Sequence, residues 1–226
     1  MRIVVLTGAG VSAESGLGTF RDQNGLWSQY DLEEVATPQG FAKNPGLVHD
    51  FYNARRANCI AARPNAAHHA LAELAATGHQ LTLITQNVDD LHERSGIRDV
   101  IHMHGELMRA LCNACGARWD APAEMSPADP CATCGATATR PDVVWFGEVP
   151  YHMDRITDVV ARADLFVAIG TSAEVYPAAG LVELAPRDTL EINLAPSART
   201  NAFASRRFGP ATEVVPAWVN ELRNLV

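Results

Sequence analysis

Short apolar runs alternate along the chain with longer stretches in which apolar residues return at helical spacing. Ile3–Thr7, Leu81–Thr85, Leu165–Ile169 and Leu190–Asn193 read as strands, and Pro45–Ala62 and Ala66–Ala76 as helices. That order predicts an α/β fold, a parallel sheet covered by helices. Boundary residues agree with the pattern. Asn44 before Pro45 is an N-cap followed by proline at the first helical position, and Asn65 and Gly78 bracket the second helix. Ala217–Leu225 places Trp218, Leu222 and Leu225 on one stripe, as expected of a closing helix packed on the sheet.

Between about Cys112 and Pro141 the pattern lapses into Cys, Ala, Pro, Asp and Thr. A segment so poor in core residues folds only with a staple, and four of the five cysteines supply one. Cys112-x2-Cys115 and Cys131-x2-Cys134, fifteen residues apart, suit a closed tetrahedral zinc site with no open position for a catalytic water. Such pairs without an export signal point to a reducing compartment, here the cytoplasm. The fifth, Cys59, reads as a small buried apolar residue on a helix.

With 226 residues there is length for one large domain carrying a small insertion. The net charge of -8 offers none of the positive field that nonspecific nucleic-acid binding needs, and a basic protein partner is easier to accommodate. No apolar run approaches the ~20 residues of a membrane-spanning helix. Met1-Arg2 and Ile3–Leu6 mimic the start of a signal peptide, but Thr7-Gly8 interrupts the apolar run, which reads as a first strand.

The first strand leads into Gly8-Ala9-Gly10-Val11-Ser12-Ala13, a G-x-G-x-x-A turn. Glycines there let backbone approach a pyrophosphate, and a following helix would add amide donors and a favourable dipole. A ligand-free strand-to-helix turn is the alternative. A dinucleotide dehydrogenase would next show a compact βαβ unit with an acidic residue about 20 positions on. Instead a polar, glycine-bearing loop follows, in which Phe20 could shield a cofactor and Arg21 touch its phosphate or ribose. Gln86-Asn87-Val88-Asp89 closes the strand Leu81–Thr85, at the end of a parallel strand where ligands bind, although Asn87 or Asp89 could equally start the helix holding Leu91 and His92. In Ile101-His102-Met103-His104-Gly105 the two imidazoles stand at period-two spacing, so on a strand both face the same side and spacing selects neither as a proton acceptor.

Taken in order, these motifs resemble the sirtuin family: Gly8-Ala9-Gly10-Val11-Ser12 with Phe20-Arg21, Gln86-Asn87-Val88-Asp89, His104-Gly105, the paired cysteines, and Val143-Val144-Trp145-Phe146-Gly147-Glu148. Gly170-Thr171-Ser172, Asn193 with Pro196-Ser197, and Ala211 after Gly209-Pro210 extend the likeness over nearly the whole chain. The resemblance implies a Rossmann-like sheet with helices on both faces and an inserted zinc-binding domain. The Rossmann-like part would comprise residues 1–36, 78–111 and 141–226, a helical part of the small domain 37–77, and the zinc module 112–140. It implies NAD as cosubstrate, one structural zinc ion per chain, and acylated-lysine proteins or peptides as partners of a monomer. Asn87 and Asp89 would hold the nicotinamide ribose and carboxamide while the acyl oxygen attacks C1′. His104 would act as general base on the ribose hydroxyls, with nicotinamide, free lysine and O-acyl-ADP-ribose as products. The remaining cofactor contacts would come from Gly8, Ala9, Gly10, Ser12, Gln86, Gly170, Thr171, Ser172, Asn193 and Ala211, while Val144, Phe146, Gly147 and Glu148 would pair with the substrate backbone as an added strand.

A finer likeness lies in Phe51-Tyr52-Asn53-Ala54-Arg55-Arg56. Tyr52 and Arg55 share one helical face and match the Tyr-x-x-Arg pair of sirtuins that accept succinyl-, malonyl- or glutaryl-lysine, including bacterial deacylases of the CobB type. A guanidinium beside a phenol suits a terminal carboxylate. Two features depart from the family pattern: Gly18 replaces a common proline, and the chain shows no extension before its first strand or after its last helix. A dehydrogenase, a noncatalytic zinc module and an ADP-ribosyl transferase are the competing readings. NADH absorbance would reveal the first and a heavy protein adduct the third, while a zinc module alone leaves the other motifs without use.

Overall fold

The structure, a computed structural model, describes residues 1–18 and 30–224. The chain opens with β1 (Arg2–Thr7), followed by α1 (Leu32–Val35), α2 (Pro38–Lys43), α3 (Pro45–Ala61) and α4 (Ala66–Ala75). Next come β2 (Gln80–Thr85), α5 (Leu91–Arg94), β3 (Val100–His102), β4 (Gly105–Cys112), β5 (Arg118–Asp120) and β6 (Thr139–Val143). The last part holds α6 (Met153–Ala161), β7 (Leu165–Ile169), α7 (Leu181–Leu184), β8 (Asp188–Asn193), β9 (Ser205–Phe208) and α8 (Ala211–Arg223).

Six strands form one parallel sheet in the order β3-β2-β1-β7-β8-β9. β1 lies in its middle, and its apolar residues serve two cores by simple alternation. Ile3 and Val5 pack with Leu71 and Leu74 of α4 and Val219 and Leu222 of α8. Val4 and Leu6 face the other way, toward Ile156 and Val160 of α6 and Leu181 of α7. Burial on both faces is why these strands read as unbroken apolar runs. Both asparagine caps form as expected: Asn44 accepts from the Leu47 amide, and Asn65 accepts from Ala67 while His68 reaches back to the Asn65 amide. The closing helix starts earlier than its stripe suggests, at Ala211, and carries Pro216 within it. Trp218 and Leu222 are buried as predicted, whereas Leu225 lies outside the described residues.

A second sheet, antiparallel and of order β5-β4-β6, carries the cysteine-bearing turns. Between the sheets a third apolar cluster joins Val48, Phe51 and Tyr52 of α3 to Leu107, Val143 and Trp145. Arg56, fully buried on the same helix, donates to the Leu107 and Ala123 carbonyls and to Asn53, and so fastens α3 to both β4 and the segment before the second cysteine pair.

Because the large sheet is parallel, the turns after β1, β2, β7 and β8 all emerge at one edge. β1 has its two sequence-distant neighbours, β2 and β7, on opposite sides, so the chain changes direction there and leaves a crevice outside the strand ends. Two of these turns touch. A Cβ on Gly8 would lie 2.8 Å from the Gly170 oxygen, one on Gly10 would lie 2.7 Å from Gly170 Cα, and one on Gly170, whose φ is +63°, would lie 2.5 Å from the Val11 nitrogen. These glycines therefore serve loop-to-loop packing as well as any approach to a ligand. After the turn comes a pair of short 3₁₀ turns, Ala9–Val11 and Ala13–Ser15, and not the α-helix that the sequence suggested. The expected dipole of a full helix is accordingly missing from this turn. Gly170→Ala is expected to lower the unfolding free energy by about 2–4 kcal/mol, since left-handed backbone and a blocked contact coincide. An unchanged urea midpoint would show that the two turns can separate freely.

Candidate active site and metal centre

The crevice opens into a cleft of ≈ 1170 Å³ that reaches from the edge of the parallel sheet to α3 and the segment after β6. Every sequence-predicted cofactor and substrate residue lines it except Phe20 and Arg21, which lie outside the described residues.

Side chains lace the turns of the sheet edge together. Gln86 donates to Thr171 Oγ1 (2.9 Å) and Asn193 to the Thr171 carbonyl (2.8 Å), while the Gly10 amide donates to the Gly170 carbonyl (2.8 Å). Glu14 accepts from both the amide and the hydroxyl of Thr212, capping α8 from outside and fixing Ala211 at the cleft wall. Beneath, buried Glu191 accepts from the Ser197 amide and the Thr200 hydroxyl, which shapes the turn after Asn193.

The floor is polar and enclosed. Asn87 donates to the Gly8 carbonyl and to Ser12 Oγ, each at 3.2 Å, and Ser12 donates to Asp89 Oδ2 at 3.1 Å. Asp89 Oδ1 also accepts from the Leu91 amide in the turn before α5, whose N-cap position is taken by Asp90 and not by Asn87 or Asp89 as the sequence allowed. The Asp89 carboxyl is pushed upward by burial, against the pull of its Leu91 and Ser12 hydrogen bonds. Behind Ser12 lie two imidazoles in contact, His68 and His92, tilted at 55° with ring centres 4.9 Å apart. Because the Asn65 amide donates to His68 Nδ1, the His68 proton sits on Nε2 and points to Ser12 Oγ, 3.4 Å away. Burial pushes His68 down to about 4 and His92 well below its usual value, so both are neutral at pH 7.

The two neighbouring histidines do not share a face. β3 stops at His102, the chain reverses, and β4 begins at Gly105, where φ is +80° and a Cβ would meet the Asp142 oxygen at 2.2 Å. The period-two expectation fails because the strand ends between them. His102 is buried under the Asn87–Glu93 segment, whereas His104 faces the cleft. His104 Nδ1 donates to the Gln86 carbonyl at 3.1 Å, which leaves Nε2 as the basic nitrogen. Burial lowers its pKa below the ordinary histidine value, only partly opposed by that carbonyl.

On the far wall, Trp145 Nε1 donates to the Tyr52 hydroxyl at 3.0 Å, leaving the phenolic proton to point elsewhere. The Arg55 guanidinium carbon lies 5.4 Å from the Tyr52 ring centre. Glu148 is tied down: Arg140 grips its carboxylate at 2.7 and 2.9 Å and stacks over Trp145, and the Trp145 amide donates to the same carboxylate. Asn58, Cys59 and Leu107 line the wall without having been anticipated. The first two follow Arg55 at i+3 and i+4, so extending the helical face would have found them. Cys59 is buried as expected, its thiol pushed up to about 12 mainly by burial.

Away from the cleft, the sulfurs of Cys112, Cys115, Cys131 and Cys134 lie within 4.8 Å of one another. Cross-pair separations of 3.7 and 3.8 Å match the edge of a tetrahedron with Zn–S bonds of ~2.3 Å, and no disulfide competes for these thiols. The cluster fits a structural zinc ion.

Comparison with known proteins gives a consistent result. The Sir2 family description matches residues 8–177. A protein of Caulobacter vibrioides called NAD-dependent protein deacylase is 60% identical over 98% of this chain and 97% of its own. Its counterpart of the same name in Escherichia coli K12 is 51% identical, covering 98% of this chain and 82% of its own. Among solved structures, a Sir2 homologue bound to ADP-ribose superposes with a TM-score of 0.93 at 43% identity, covering 99% of this chain and 92% of that one. A Sir2 homologue with NAD gives 0.92 at 43% identity, covering 99% and 90%. Replacing Cys131 by Ser is expected to release the metal and lower the melting temperature, because binding and local folding are coupled. Zinc analysis with a melting curve checks this, and an unaltered curve would deny the metal a structural role.

Proposed function

From the premise that the chain belongs to the Sir2 family and is an NAD-dependent protein-lysine deacylase, we propose that Asn87, Asp89 and His104 carry its reaction. The observation that supports this most is their convergence: the Asn87–Asp89 floor and the basic nitrogen of His104 face one cleft large enough for a dinucleotide and a side chain together. The cleft suits NAD, with turn backbone at the sheet edge for phosphates and polar groups on an enclosed floor for the nicotinamide ribose. When bound, NAD supplies a glycosidic bond whose cleavage drives transfer of the acyl group to ADP-ribose.

The chain's own residues divide the remaining work. Asn87 and Asp89, held by Ser12 and the Gly8 carbonyl, would orient the ribose and carboxamide, so that positioning replaces strong nucleophilicity. His104 would take the ribose hydroxyl proton at Nε2, which its Nδ1 contact keeps unprotonated. Gly8, Ala9, Gly10, Gly170, Thr171, Ser172, Asn193 and Ala211 would form the remaining wall of the dinucleotide site, joined by Phe20 and Arg21. Val144, Phe146, Gly147 and Glu148 would receive the substrate backbone. The amides of Val144, Phe146 and Glu148 already donate inside the protein, so an incoming strand would pair with carbonyls of this segment and with Gly147.

Tyr52 and Arg55 would bind the far end of the acyl chain. A terminal carboxylate can accept from a guanidinium and a phenol together, and acetyl has no group to offer them. The division into residues 1–36, 78–111 and 141–226, residues 37–77 and residues 112–140 would place the reaction between the sheet-bearing and zinc-bearing parts. Among the described residues no helix is long and apolar enough to cross a membrane. With a net charge of -8, the protein is read as a cytoplasmic monomer with no specific nucleic-acid or membrane partner.

Incubation of the zinc-loaded protein with NAD and acetyl-, succinyl- or malonyl-lysine peptides, followed by mass analysis, tests this directly. Nicotinamide and O-acyl-ADP-ribose are expected, and absence of nicotinamide release would sink the reading. His104→Ala should keep its fold and lose at least about 100-fold in rate. Because the base works unprotonated and burial lowers its pKa, kcat/KM should fall on acidification with a midpoint below ~6.5, and stay level just above it. Tyr52→Phe with Arg55→Met should cost desuccinylation about 10–100-fold more than deacetylation. Equal losses on both substrates would remove the acyl-selectivity argument.

A further inference from the structure

His102 has no part in the chemistry above, yet its surroundings are restrictive. Its ring, 7% exposed, lies between the Asn87 backbone and α5. Nδ1 is 3.2 Å from the Asn87 carbonyl oxygen, and Nε2 is 2.7 Å from Glu93 Oε1. A carbonyl and a carboxylate can only accept. A neutral imidazole has one N–H, so at one end it would turn a lone pair toward oxygen. Toward an ionised Glu93, only the doubly protonated ring satisfies both contacts. Glu93 gives independent support: its other oxygen, Oε2, is buried with no hydrogen-bond partner among the described residues, so the ring is the chief group answering this carboxylate.

We propose that His102 is a positively charged positioning residue that holds the Asn87 peptide so that the Asn87 side chain and Asp89 face the cleft. Three other contacts clamp Asn87: its amide donates to Thr85 Oγ1 at 3.0 Å, and its side chain donates to the Gly8 carbonyl and Ser12. Of these holds on Asn87, the His102 contact is the one that titrates. The groups facing His102 are Glu93 and His92 on α5, Glu106 on β4, and Asp89 in the intervening segment. His92 is neutral, so the field on the ring is mainly that of carboxylates. Burial, the largest influence, lowers the His102 pKa, but the Glu93 hydrogen bond and charge, Glu106 and the Asn87 carbonyl together raise it above the ordinary value.

The consequence is a pair of histidines, two residues apart, with opposite requirements. His104 must be neutral to take a proton, and His102 must be charged to hold the floor. On alkalisation His102 would keep its shorter contact to Glu93 and turn the Nδ1 lone pair toward the Asn87 carbonyl, releasing that clamp. The acid limb of the rate profile then belongs to His104 and an alkaline limb to His102.

This inference rests on the reading of Asn87 and Asp89 as groups that grip the cosubstrate. The test uses the zinc-loaded full chain, with nicotinamide release from NAD and an acyl-lysine peptide measured across pH for wild type and Glu93→Gln. Glu93 is half-exposed, so this variant keeps its fold, while His102→Phe could lose it. Imidazole nitrogen NMR of the wild type should show both His102 nitrogens protonated near pH 7. Glu93→Gln should move the alkaline limb at least about one pH unit downward and leave the acid limb in place, with a loss of about tenfold in kcat/KM above neutrality. Superimposable profiles, or one unprotonated His102 nitrogen near neutrality, would overturn the proposal. Absence of nicotinamide release from wild type would instead bring down the deacylase reading, and the NMR signals would still decide the charge on His102.

Discussion

The cleft exists because two turns from distant parts of the chain can touch. The turn after β1 and the turn after β7 meet with Gly8 and Gly10 against Gly170, at distances that leave no room for a side-chain carbon. Any larger residue would force the strand ends apart and widen the floor of the cleft. Once the turns are joined, Gln86 and Asn193 bind to Thr171, and four strand ends become one continuous surface. The close contact thus sets the position of Asn87, Ser12 and Asp89 relative to whatever lies above them.

Charge below that surface is arranged by burial and by single hydrogen bonds. His68 and His92 remain neutral because nothing acidic compensates their desolvation, so His68 can present a fixed donor to Ser12 without adding charge beside Asp89. His104 remains neutral for the same reason, with a carbonyl as its named contact. His102, also largely buried, is driven the opposite way by a carboxylate at 2.7 Å. One residue type is thereby driven in two opposite directions, and what separates them is whether an anion is in reach.

The opposite wall depends on a second set of contacts. Arg140 couples Glu148 to the Trp145 ring, Trp145 orients the Tyr52 hydroxyl, and Arg56 ties the same helix to the zinc-bearing sheet. This wall of the cleft is therefore built on a helix held from two sides, by Trp145 and by the sheet that carries the four cysteines.

Much of this was legible from residue order alone. Strand runs, asparagine caps and the spacing of cysteine pairs are local features, set by backbone periodicity and by the reach of a few side chains, and the structure reproduces them nearly residue for residue. The likeness of several ordered motifs to one family likewise needed no coordinates. Other facts came only with the tertiary structure. Whether His102 and His104 share a face turned on where β3 ends, which is dictated by Gly105 fitting against Asp142, nearly forty residues later. The glycines of the first turn looked like an adaptation to a ligand, and their nearest obstacle proved to be another turn of the same chain. Spacing could not disclose either point, because both depend on contacts between segments whose separation in sequence carries no periodic signal.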